Sequence, residues 1–138
     1  MVDRYIIQAR IAKIREYVAL LRKIYRLTDE HRFIKDPLIY GNGERYLQLA
    51  IQCVLDISNH IVADMNLKLP EDSKELFALL ARHKVLPVPL SKKLTPMAGF
   101  RNILVHEYLE IDRHRVYRAL RDDLGDFEKF IKAVSKRL

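Results

Sequence analysis

Apolar residues recur along the first part of the chain at helical intervals. Ile7, Ile11, Ile14, Val18, Leu21 and Tyr25 are separated by four, three, four, three and four residues. Such spacing keeps one apolar side chain per turn on a single face, so it predicts an amphipathic helix over residues 3 to 27 or so. Thr28 is placed to cap a short following helix, with Asp29 and Glu30 suited to its positive end, and Pro37 ends or kinks that helix. Gly41-Asn42-Gly43 reads as a break or hinge. A phosphate loop is excluded there, because no strand precedes it and the glycine spacing is wrong.

A second long helix is expected from about Glu44 to Asp64, burying Leu47, Ala50, Ile51, Val54, Ile57 or Ser58, and Ile61. On it, Gln48, Gln52, Asp56 and His60 follow one another at i+4 and form a narrow polar strip between apolar neighbours. Such a strip is either an internal hydrogen-bonded network or the wall of a cleft, and for Asp56 and His60 both readings stand. Pro70-Glu71-Asp72-Ser73 opens a short helix with Leu76, Phe77, Leu79 and Leu80 inside. Val85-Leu86-Pro87-Val88-Pro89 is a rigid connection, and a helix follows over about Ser91 to Val105, with a kink or restart expected at Pro96. The last helix starts after Asp112, a good N-cap, and runs to about Lys136 along the stripe Val116, Leu120, Leu124, Phe127, Ile131 and Val134.

No strand pattern and no internal repeat interrupt this series. Long helices with short connections predict an all-α, up-and-down four-helix bundle with one or two short extra helices, a single domain over residues 1–138. Gly (4) and Pro (5) are scarce while 49% of residues are hydrophobic, which suits a helical core and argues against disorder.

Charge adds a direction. The formal net charge is +7, which favours polyanionic partners. No acidic residue occurs from Leu76 to His106, a stretch that holds Arg82, Lys84, Lys92, Lys93 and Arg101. Solvated helix faces account for any single lysine; an RNA or nucleotide partner accounts for the stretch as a whole. The lone Cys53 excludes an internal disulfide, and no His/Cys/carboxylate set has the spacing of a metal site, so neither metal nor cofactor is expected. No apolar run approaches the roughly 18 residues of a membrane span, and no signal peptide is evident, so a cytoplasmic protein is expected.

One segment carries candidate chemistry: Phe100-Arg101-Asn102-Ile103-Leu104-Val105-His106-Glu107-Tyr108. At about 100° per residue, Asn102 and His106 share one helical face. If the helix ends near His106, its polar residues gather at the end of the bundle while Ile103, Leu104 and Val105 anchor it. A histidine can move a proton near neutral pH, and an arginine can hold a phosphate in a planar, permanently charged fork. Together they can cleave RNA without a metal. Spacing alone favours a histidine capping a helix end beside a surface arginine.

Arg101-Asn102-Ile103-Leu104-Val105-His106-Glu107-Tyr108 resembles the Arg-(four to six residues)-His motif of HEPN-domain ribonucleases, and in its Arg-Asn-x-x-x-His-x-Tyr form the HepT-like toxins that pair with a minimal nucleotidyltransferase (MNT) antitoxin. Glu44 to Gln52, Asp56 to His60, and Leu109-Glu110-Ile111-Asp112 are similar to the same family, so the resemblance covers essentially the whole chain. It implies a homodimeric helical bundle with two motifs facing one cleft, and a metal-independent endoribonuclease acting as a toxin. It further implies that Arg101 stabilises the scissile phosphate, Asn102 orients phosphate or His106, and His106 is the general acid/base. Tyr108 would accept AMP from the antitoxin, and Asp56 and His60 would lie on the helix facing the cleft. The alternative function is a non-catalytic nucleotide- or RNA-binding subunit of a nucleotidyltransferase.

Overall fold

The computed structural model describes residues 3–106 and 111–138, and among these all regular structure is helical. Helix α1, Arg4–Leu27, starts where the Asp3 carboxylate accepts the backbone N–H groups of Tyr5 and Ile6. Ile7, Ile11, Ile14, Val18 and Leu21 are buried along it, and Tyr25 packs against the core.

Three local expectations at the next boundary are corrected. Helix α2, Glu30–Lys35, is capped by Asp29, whose carboxylate takes the Arg32 N–H at 2.8 Å. Thr28 instead closes α1 in extended conformation. Pro37 does not end a helix; it begins helix α3, Pro37–Asp64, at a first-turn position where its missing N–H costs nothing. Asp36 caps that start through the Leu38 N–H at 3.0 Å. Gly41-Asn42-Gly43 is therefore no hinge but part of the helix. Gly43 is there for a close approach: a Cβ on it would lie 2.8 and 2.9 Å from two atoms of the Phe33 ring on α2.

The apolar face of α3 buries Leu47, Ala50, Ile51, Val54, Ile57, Ser58 and Ile61, so the alternatives Ile57 and Ser58 are both inside. Ser58 is satisfied by donating to the Val54 carbonyl at 2.8 Å. Helix α4, Lys74–Arg82, contributes Leu76, Phe77 and Leu80. Helix α5, Val88–His106, starts three residues before the expected position and passes through Pro96 without a restart. Pro96 is exposed, so its ring meets solvent rather than a packed neighbour. The last stretch is two helices, α6, Arg113–Asp122, and α7, Leu124–Ser135, not one. The division falls in Asp122-Asp123-Leu124-Gly125, where two aspartates and a glycine are poor helix formers. The expected stripe survives it: Val116, Leu120, Leu124, Phe127, Ile131 and Val134 are all buried.

The long helices α1, α3, α5 and the α6–α7 pair make the four-membered bundle. α1 lies against α3, α3 against α5, and α7 closes onto α1 and α5, while α4 covers α5 and α2 bridges α3 and α6. The buried side chains form one cluster. α5 reaches this cluster through Phe100 and Leu104 near its described end, and Arg115 of α6 lies over Phe100.

Candidate active site

Helix α5 is anchored by Leu94, Ala98, Phe100 and Leu104, all buried, with Ile103 packed against the cluster. Phe100 and Leu104 stand four residues apart and fix the last turns in rotation. The polar motif residues are thereby turned outward. Asn102 and His106 are exposed, and Arg101 is partly buried. Arg101, Asn102 and His106 fall within the last six described residues of α5.

Arg101 is only half-satisfied. Its Nη1 donates to the Asn102 side-chain oxygen at 3.2 Å, while its Nε is shielded from water with no hydrogen-bond partner among the described residues. A shielded, unpaired guanidinium donor costs stability until a partner takes it. Asn102 steadies the fork from one side. His106 is exposed, with no side-chain partner among the described residues. Tyr108, the expected AMP acceptor, lies outside the described residues.

Two arginines from the start of α6 brace this end of the bundle. Asp112 caps α6, accepting the His114 N–H at 3.0 Å and the Arg115 N–H at 3.3 Å. The Arg115 guanidinium carbon stands 4.3 Å from the centroid of Phe100, the residue next to Arg101. Arg113 lies 3.8 Å over the Tyr40 ring and 3.7 Å from Glu44 on α3. Burial pushes the Glu44 carboxyl above its ordinary range, and the Arg113 charge opposes that shift. At 3.7 Å the pair is a charge contact rather than a hydrogen bond, and Glu44 Oε1 and Arg113 Nε are both shielded without a hydrogen-bonding partner among the described residues. The sequence hint for this cluster was the helical segment beginning at Glu44; Tyr40 and Arg113 were not singled out, since nothing local marks residues that meet across helices.

The polar strip of α3 has a different setting. Gln52 Nε2 donates to Asp56 at 2.9 Å, and the other Asp56 oxygen lies 3.4 Å from Arg10 Nε on α1. Asp56 thus ties α3 to α1. His60, one turn further on, is exposed. Neither lines the 460 Å³ recess between α3, α5 and α6, which is formed by Leu47, Ile51, Met97, Phe100, Arg115 and Arg118 among others. Cys53 beside the strip is a packed thiol whose pKa is raised, chiefly by burial. Among the described residues no group of three or more His, Cys, Asp or Glu is placed to hold a metal, and no helix is long and apolar enough to cross a membrane.

Comparison with known proteins places the chain in a family. The family model described as "Ribonuclease HepT-like" matches residues 14–134, which includes the whole of α3 and α5. The chain belongs to the ribonuclease HepT-like family. It is 33% identical over 129 residues to the mRNA nuclease HepT of Shewanella oneidensis, covering 94% of this chain and 96% of that one. It is 30% identical over 139 residues to the tRNA nuclease HepT of Aphanizomenon flos-aquae, covering 99% of this chain and 92% of the relative. In structure it is similar to the tri-AMPylated Shewanella oneidensis HEPN toxin in complex with its MNT antitoxin, with a TM-score of 0.86 and 33% identity over 99% of both chains. The family thus spans the Arg101–His106 segment and the bundle that holds it.

Proposed function

We propose that this chain is the toxin of a HEPN/MNT toxin–antitoxin pair, an endoribonuclease that cuts RNA without a metal. One observation carries the reading: within the last six described residues of α5, Arg101 has a shielded Nε without a hydrogen-bond partner among the described residues and His106 is exposed. His106 takes the proton of a ribose 2′-OH, and the 2′-oxygen attacks the adjacent phosphorus. The 5′-oxygen leaves and must receive a proton. Arg101, steadied by Asn102, neutralises charge building on the phosphate oxygens. One chain offers one motif histidine, so His106 of a second copy supplies the acid and the working unit is a homodimer.

The same reading assigns the regulation. The MNT partner of the pair transfers AMP from ATP to Tyr108: the phenol oxygen bonds to the α-phosphorus and pyrophosphate leaves. Two residues from His106, the new phosphate occupies Arg101 and blocks the cleft. The relatives named as nucleases and the AMPylated toxin bound to its antitoxin support the assignment.

The test is RNA cleavage in excess EDTA by the wild type and by His106→Ala, with intact mass measured first so that an AMP-blocked preparation is recognised. Cleavage by the unmodified wild type and none by the variant is expected. Equal cleavage by both removes His106 from the site.

A further inference from the structure

A second surface, remote from the motif, has the chemistry of a polyanion track. Two adjoining recesses lie between the α4–α5 connection and α7. One is lined by Pro87, Pro89, Leu90, Lys93, Lys129, Lys132, Ala133 and Lys136; the other adds Lys84, Val85 and Arg137. Pro87, Ala133 and Lys136 belong to both, so they form one groove. No carboxylate lines it. The recess beside the motif is different, with Asp122, Asp123 and Asp126 among its walls.

Lys129, Lys132 and Lys136 fall at i, i+3 and i+7, which puts their ammonium groups along one face over about 10 Å. All three are exposed, and none has an ion-pair partner among the described residues. Of the acidic residues of α7, Glu128 pairs with Arg15 at 3.7 Å, outside the groove, and the buried Asp126 lies 3.8 Å from the groove's Lys93, whose charge it partly offsets. Lys84 lines the second recess; its left-handed φ of 61° belongs to the turn that ends α4, where the Lys84 and Val85 N–H groups donate to the Ala81 and Leu80 carbonyls.

Lysines without aromatic, methionine or tyrosine anchors are poor material for the centre of a protein interface, which is depleted in lysine. They are the ordinary partners of backbone phosphates. Lys93 lines both this groove and the recess that contains Phe100, so the track is continuous with the motif helix. From Lys93 to Arg101 is about 12 Å along α5.

We propose that the Lys84–Lys93–Lys129–Lys132–Lys136 groove is a substrate-docking site that holds the phosphate backbone of an RNA strand several nucleotides away from the bond cut at Arg101 and His106. It rests on the ribonuclease reading, and its test does not depend on cleavage. Binding of a single-stranded RNA of about 20 nucleotides, beyond the usual upper site size of about 16 for a single-strand-binding module, is measured against salt concentration with His106→Ala in every protein. One protein adds Lys129→Gln, Lys132→Gln and Lys136→Gln. A control adds Lys23→Gln, Arg26→Gln and Lys35→Gln, removing equal charge elsewhere. Each lost phosphate contact lowers the slope of log affinity against log salt by about 0.7, so the groove variant loses about 2 in slope and the control keeps it. Equal slopes for groove variant and control overturn the proposal, as does an RNA that the parent fails to bind. So does a groove variant that keeps its RNA slope but loses affinity for the nucleotidyltransferase partner, which would make the face a protein interface. A lost slope in a protein whose wild type cuts no RNA leaves the groove standing and sinks the ribonuclease reading instead.

Discussion

The polar strip of α3 and the polar end of α5 are built from similar residue types, yet they are paired differently. On α3, Gln52 donates to Asp56, which also faces Arg10 across the α1–α3 contact, while Gln52 Oε1 is left shielded without a hydrogen-bond partner among the described residues. On α5, the Arg101 Nε is shielded and His106 exposed, and neither has a partner across the helices among the described residues. A polar group that completes its hydrogen bonds inside the protein holds the fold together. One that is oriented but incomplete costs stability and is available to a ligand. The first region is closed and the second open, so substitutions in the two should separate stability from cleavage.

The largest effect is expected at the open end. Arg101→Ala and His106→Ala should each lower RNA cleavage by about 10²–10⁴-fold, the range of acid–base and charge-stabilising groups. Neither should lower the melting temperature, and Arg101→Ala should raise it slightly because it removes an unsatisfied shielded donor. Loss of cleavage accompanied by cooperative unfolding at lower temperature would put these residues on the structural side. Calorimetric melts beside cleavage assays decide it.

The closed side should behave in reverse, most strongly at Gly43. Its Cβ position is 2.8 Å from the Phe33 ring, and Phe33 is fully buried, so the ring has little room to retreat. Gly43→Ala should cost about 1–3 kcal/mol, the range for overpacking. At Gly41 nothing lies within 4 Å of the added carbon, and Gly41→Ala should gain about 0.5–1 kcal/mol from helix propensity. Denaturant titration of both variants tests the pair; equal effects would restore the hinge that the sequence suggests.

These glycines also show what the chain discloses of itself. The apolar stripes of α1, α3 and α6–α7 were legible residue by residue, because helical periodicity is a local property and burial follows it. The family was legible because a short segment, Arg101 to Tyr108, carries its own pattern. What misled was the meaning of single residues whose role is set by a neighbour far along the chain. Gly43 reads as flexibility until Phe33 stands against it, and Pro37 reads as a stop until Asp36 caps the helix it starts. Asp56 reads as a cleft residue or a network residue with equal right, and its neighbour Arg10 on another helix is not visible in the sequence. The Glu44–Arg113–Tyr40 cluster and the lysine groove are assembled from separate helices, and only packing brings them together.

A smaller effect sharpens the role of the strip. Asp56 is one-third exposed and its contact with Arg10 is 3.4 Å, so Asp56→Ala should cost no more than about 1 kcal/mol. Cleavage by the folded protein should stay at the wild-type level. A large loss of cleavage with unchanged stability would move Asp56 from the closed region to the open one.

The smallest and most diagnostic effect is expected at Glu44, which lies between the two regions. Its carboxyl has a pKa raised in the folded state, chiefly by burial, with Arg113 pulling the other way. A raised carboxyl pKa means that the folded protein holds this proton more tightly than the unfolded chain does. The stabilising contribution is then complete below the unfolded pKa and is lost as pH rises through the folded one. Other carboxylates titrate in the same range, so the readout is the melting temperature of the wild type minus that of Glu44→Gln. From about pH 4 to about pH 7 that difference should fall. A difference that rises instead would mean that attraction to Arg113 outweighs desolvation. Glu44 would then be a completed ion pair of the closed kind, and the bracing of α6 against α3 would be strongest at neutral pH, where the motif has to hold its shape.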